Sequence, residues 1–181
     1  MTKGKFFWIA FFIGAQAFLL QVIDQVLAPL CPPDGNVGFG WISFQAWAMY
    51  FLSGLNVVGA VKAFFSYGIG ILASVAIMVS GGMLSGLGFF TIPVVLLIVV
   101  PIVIYFELAP SLLSYVPAMF VGAGVYFGFM SYIEAATYTG AAITELIYCA
   151  LGLLFGYVTV TFRGWYEKHF VNNKTNGIQI N

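Results

Sequence analysis

Long apolar stretches, broken by short clusters of Gly, Pro and polar residues, make up almost the whole chain. Cutting at those clusters gives six segments: about Phe6 to Leu27, Phe39 to Ser53, Ala63 to Leu84, Phe89 to Phe106, Leu112 to Ile133 and Ala142 to Phe162. A helix that crosses a bilayer needs on the order of 20 predominantly apolar residues. The pattern therefore predicts an all-α polytopic membrane protein of six transmembrane helices in a single membrane domain. The second segment, about 15 residues, is barely long enough for the hydrocarbon core.

Charge then sets the orientation. Lys and Arg are enriched on the cytoplasmic side of membrane proteins. With six spans, Lys3, Lys5, Lys62, Arg163, Lys168 and Lys174 all fall on one side, so both termini are expected in the cytoplasm, residues 163–181 forming a cytoplasmic tail. Trp8 and Trp165 then sit at the inner interface and Trp41 at the outer one. Lys3 and Lys5 before an apolar run and Ala15-Gln16-Ala17 resemble a cleaved leader, but the run continues through Val26, which favours a retained helix. Asn173-Lys174-Thr175 fits a glycosylation acceptor and is read as chance in a cytoplasmic tail. Composition agrees with the membrane reading: of 181 residues, 62% are apolar and only 7% charged, against roughly a quarter charged in soluble domains. A net charge of zero gives no case for nucleic acid.

Internal similarity divides the chain into two triplets. Phe44, Ala46, Ala48, Met49, Tyr50 and Phe51 match Phe120, Gly122, Gly124, Val125, Tyr126 and Phe127, always 76 apart. Gly70-Ile71-Leu72-x-Ser74 matches Gly152-Leu153-Leu154-x-Gly156, 82 apart. Each half holds three spans, an odd number, so the halves (about 6–85 and 89–162) cross in opposite senses. An inverted 3+3 repeat follows, an arrangement that places binding sites near the midplane between the halves. A duplication that merely builds a stable bundle is the plainer alternative.

The segments Ser114-Tyr115-Val116-Pro117-Ala118-Met119-Phe120-Val121-Gly122-Ala123 and Ala150-Leu151-Gly152-Leu153-Leu154-Phe155-Gly156-Tyr157 resemble a family of small bacterial inner-membrane proteins, domain of unknown function 1097. The resemblance runs from about Trp41 to Trp165. It implies an inner-membrane, multi-span helical fold, and brings no substrate or catalytic residue.

Candidate functional residues come from polarity and periodicity. At 100° per residue Glu145, Tyr148, Gly152, Gly156, Thr159 and Arg163 share one face of the sixth span, with Ser66, Gly70 and Ser74 as the related stripe of the third. Gly152 and Gly156, with Gly70 and Ser74, suit close helix packing, and the same face could wall a pathway with Glu145 and Tyr148 as its polar contacts. Gln16, Gln21, Asp24 and Gln25 cover half of the first helix, a surface that must meet protein or water. The fourth span, Pro93 to Phe106, is apolar throughout. The short second span and the Pro117- and Gly-interrupted fifth point to a site, where Phe44, Tyr50 and Phe51 with Phe120, Tyr126 and Phe127 would form aromatic constrictions beside Gln45. Core packing of these aromatics is the competing reading.

Asp24, Asp34, Glu134 and Glu145 lie toward the outer side, a distribution that draws cations and repels anions. His169 is the single histidine, and Cys31 and Cys149 have no metal-ligand spacing. No catalytic motif, metal or cofactor is expected, and the chain is not read as an enzyme. The function expected is a channel or uncoupled transporter for a small polar, neutral or weakly cationic solute, working as a homo-oligomer. The alternative is a non-transporting assembly subunit of a larger membrane complex.

Overall fold

The computed structural model describes residues 1–171; Lys174 and Asn173-Lys174-Thr175 lie outside the described residues. Among the described residues all regular structure is helical. The six α-helices are α1 (Lys3–Leu27), α2 (Gly40–Leu52), α3 (Val57–Met83), α4 (Thr91–Tyr105), α5 (Val116–Tyr132) and α6 (Tyr138–Tyr166). Five helical stretches, Lys3–Leu30, Val57–Met83, Ser85–Leu108, Ser111–Tyr132 and Tyr138–Val171, are long and apolar enough to cross a membrane.

The second segment is the departure from six equal spans. With 13 residues rising 1.5 Å each, α2 is about 20 Å long, short of the roughly 30 Å hydrocarbon core. It is held at both ends by its neighbours instead. Asp24 of α1 accepts a hydrogen bond from the Phe39 backbone N–H at 2.8 Å, supplying a negative charge at the α2 N-terminus. At the other end, Tyr115 donates its hydroxyl to the Leu52 carbonyl at 2.9 Å.

Two helices begin earlier than apolarity alone indicates, because polar caps start them. Asn56 accepts from Gly59 N–H at the head of α3, and Thr137 accepts from Gly140 N–H at the head of α6. These caps satisfy backbone donors that the first turn leaves free.

Lys5 bonds the Phe170 carbonyl and Phe12 stacks on Phe162, so the start of α1 and the end of α6 share one end of the bundle. Lys3, Lys5, Lys62, Arg163 and Lys168 cluster there by helix position; this is termed the basic end. At the opposite, acidic end, Asp34 and Glu134 line a common concavity.

The core forms where α3 packs along α5 and α2 packs along α6. Glycine makes both approaches possible. A methyl group on Gly70 would overlap the Met119 carbonyl oxygen and stand 2.7 Å from the Ala123 backbone nitrogen. One on Gly152 would overlap the Ser43 carbonyl oxygen and stand 2.8 Å from the Ala46 Cβ. Helices α1 and α4 are peripheral, and most of their apolar side chains point outward.

Among the described residues, the two larger of four apolar clusters fill most of the interior. Toward the acidic end, Phe39, Ile42, Ile71, Tyr126, Phe129 and Tyr148 pack together. Toward the basic end, Ala46, Tyr50, Tyr67, Ala118, Cys149 and Leu153 do so.

Candidate functional site

At the junction of the two apolar clusters lies a group of buried polar side chains on α3 and α6. Glu145 and Tyr148 are one turn apart on α6, and Ser66 and Tyr67 are neighbours on α3; all four are fully buried. Among the described residues neither Glu145 carboxyl oxygen has a hydrogen-bond partner, and neither do Ser66 Oγ, Tyr67 OH and Tyr148 OH. Buried polar groups are ordinarily satisfied by protein or by bound water or ions. A buried carboxyl group without a partner costs several kcal/mol, so these atoms form the candidate site.

The surroundings are aromatic and acidic. Tyr67, Tyr126 and Cys149 lie within electrostatic range of the Glu145 carboxyl group. Tyr126 spends its hydroxyl on the Tyr138 carbonyl at 2.8 Å. The Tyr148 hydroxyl lies beside Asp24 without completing a hydrogen bond, and its ring meets Phe39 edge-on at 5.8 Å. Phe39 in turn stacks on Phe129 at 4.6 Å. Glu145 lies seven residues into α6, about 10 Å along the helix from its acidic end.

The other candidates divide into seam residues and outward-facing ones. Asp24 holds Gln21 Nε2 at 2.9 Å as well as Phe39 N–H, while Gln21 and Gln25 are exposed. Gln16 enters a buried network. Trp47 Nε1 donates to Thr159 Oγ1 at 3.0 Å, Thr159 donates to Gln16 Oε1 at 2.9 Å, and Gln16 Nε2 donates to the Phe155 carbonyl at 3.2 Å. The lower part of the α6 stripe is therefore packing: Gly152 lies against Ser43, Gly156 against Tyr50, and Thr159 in this network. Ser74 does the same on α3, donating to the Ala123 carbonyl at 3.1 Å, and Arg163 pairs with Glu167 on the surface.

The six aromatics expected to form constrictions are not all brought together. Tyr50 and Tyr126 are buried, but Phe44, Phe51 and Phe120 face outward, as does Gln45. Phe127 is half-buried and, with Phe120, lines a groove of about 220 Å³ between α3, α4 and α5. The reason is helical period: positions next to each other in sequence, such as Tyr50 and Phe51, cannot share a face. Ser66 and Tyr67 gain their interest only from the structure. Ser66 was visible as part of a small-residue stripe, whereas nothing in the sequence set Tyr67 apart from nine other tyrosines.

A loop seals this site from the acidic end. Asn36 Nδ2 lies 2.7 to 2.9 Å from the carbonyls of Ala28, Cys31 and Pro33, and Gly38 N–H donates to Asn36 Oδ1 at 2.8 Å. Thr144, beside Glu145, donates to the Pro32 carbonyl at 2.9 Å. Gly38 has φ +97° and a side chain there would overlap Asp24, so only glycine fits this close turn. Above the loop is a concavity of about 650 Å³ lined by Asp34, Glu134, Tyr132 and Phe39.

Comparison with known proteins supplies the family. The family described as a protein of unknown function, DUF1097, matches residues 19–163. The chain belongs to it. That match covers α2 to α5 of the DUF1097 chain whole, the end of α1, all but the last turn of α6, and all four unpartnered residues. No curated protein matches the chain, and no solved structure does.

Proposed function

We propose that this DUF1097 protein is a multi-pass protein of a bacterial inner membrane that carries a small polar solute between two inverted three-helix halves. The observation that carries the reading is a buried layer in which the Glu145 carboxyl group and the Tyr67 hydroxyl, within electrostatic range of each other, have no partner among the described residues and lie amid apolar packing. A closed layer of this kind suits an uncoupled transporter in an occluded state better than an open channel.

Reciprocal packing supports the inverted repeat. Gly70 meets Met119 and Gly152 meets Ser43, and Ser43 and Met119 are themselves 76 positions apart, like the matched motifs. Tyr50 and Tyr126 occupy corresponding places in the two apolar clusters. In this reading α2 and α5 are the short paired helices, α1 and α4 are peripheral, and the basic end faces the cytoplasm. The outward apolar faces of α1 and α4 are where lipid or a second copy packs, and the protein acts as a homo-oligomer without metal, cofactor or catalytic chemistry.

Solute flux into proteoliposomes tests this. Vesicles carrying the full chain are compared with empty ones on a panel of urea, acetamide, methylammonium and glycerol. Faster flux of at least one solute, reduced by Tyr126→Ala, is the expected result. Vesicles no leakier than empty ones to the whole panel would favour an assembly subunit instead.

A further inference from the structure

We propose that the unpartnered layer is a binding site for a small monovalent ammonium-type cation, reached from the acidic end past Phe39. This rests on reading the layer as a solute site and adds the class of solute. Three features of the site select that class.

The first is charge. Glu145 is buried without a partner among the described residues, and the described basic residues lie at the opposite end of the bundle or on its surface. An anion would meet an uncompensated acidic group and no cation, so anions are disfavoured. The second is hydrogen-bonding chemistry. Both Glu145 carboxyl oxygens and the Tyr67 hydroxyl are free among the described residues, and a ligand with three or four N–H donors and no acceptor matches these oxygens with charge-assisted bonds. The third is the aromatic wall. Tyr67 and Tyr126 lie within electrostatic range of the carboxyl group, and Tyr148, one turn along α6, packs its ring on Phe39. Aromatic faces attract ammonium groups.

The approach is built to match. The concavity at the acidic end carries Asp34 and Glu134, both exposed, and Phe39 lines its floor. Such an acidic, recessed surface raises the local concentration of cations. The Phe39 ring is the partition between that concavity and the Tyr148 ring. Its turn is fixed by Gly38 and Asp24, so displacing one aromatic ring opens the way to Tyr148 and Glu145.

Binding of methylammonium chloride to the purified full chain in nanodiscs tests this, read as a saturable rise in Tm, with sodium chloride at equal ionic strength and urea as comparisons. Methylammonium is expected to raise Tm more than either, and Glu145→Gln is expected to weaken its apparent affinity by about tenfold or more, the loss of one charge-assisted interaction. Tyr67→Phe, which keeps the ring and removes the hydroxyl, is expected to weaken it less while leaving the apo Tm within a degree or two. A methylammonium shift equal to that of sodium, or one unchanged in Glu145→Gln, overturns the cation assignment. If urea flux then persists in proteoliposomes, the transport reading survives without it; if neither flux nor binding is found, both fall.

Discussion

Adding one methyl group at Gly70 or at Gly152 should separate the helix pair that each glycine brings together. Carbon normally rests about 3.5 to 4.0 Å from other heavy atoms. A Cβ at Gly70 would stand 2.7 Å from Ala123 N and closer still to the Met119 carbonyl oxygen, and at Gly152 the Ser43 carbonyl and Ala46 Cβ leave no more room. Each pair must therefore part by about 1 Å. Because the obstacle is backbone rather than a side-chain tip, the cost belongs at the upper end of the overpacking range, about 3 kcal/mol. Gly68→Ala is the control, since nothing lies within 4 Å of its Cβ position, and helix propensity makes it neutral or up to about 1 kcal/mol stabilising. Unfolding in mixed micelles of increasing denaturing-detergent fraction measures all three. Gly70→Ala and Gly152→Ala are expected to lose similar stability, because each Cβ position runs equally close to a backbone carbonyl oxygen. Either variant unfolding alongside Gly68→Ala would refute the close approach. A large loss in only one would refute the equivalence of the halves.

Other substitutions separate seam from site. Asp24→Ala strands the Phe39 N–H and frees Gln21, so it should cost about 1 to 3 kcal/mol in the same unfolding assay. Thr159→Val cuts the network joining Trp47 to Gln16 and should cost a similar amount; a neutral result would mean that α1 is not held through it. Glu145→Gln removes an unpartnered buried acid and should leave the apo protein as stable or more stable, whereas a loss above about 2 kcal/mol would reveal a partner. Burial first, and the neighbouring Asp24 charge second, push the Cys31 thiol above its ordinary value. Less thiolate at pH 8 means slow maleimide labelling of the folded protein, with labelling accelerating on unfolding; rapid labelling in the native state would contradict the packing of the 28–39 loop.

The helical class and the membrane setting were legible because apolarity runs in long blocks, and lipid leaves the backbone few alternatives to helix. The glycine seams were also legible: spacing alone placed Gly70, Gly152 and Gly156 at close contacts. Helix starts were less so, since Asn56 and Thr137 read as loop residues until their side chains were seen accepting backbone N–H groups. The aromatic motif misled in part. Repetition of Phe-x-small-x-small-apolar-Tyr-Phe carries no information on the face each ring takes, which depends on neighbours, and Phe44, Phe51 and Phe120 turned outward. Glu145 stood out as a rare acid in an apolar segment. Its proximity to Tyr67 joins parts of the chain some 80 positions apart and is created by the packing of α3 against α6.

Uptake of radiolabelled methylammonium into proteoliposomes, with wild type and Glu145→Gln reconstituted to equal density, addresses the account most directly. Saturable uptake by the wild type, falling about tenfold or more in the variant with vesicle integrity unchanged, is the predicted outcome. Equal uptake by both proteins, or wild-type uptake at the level of protein-free vesicles, would contradict it.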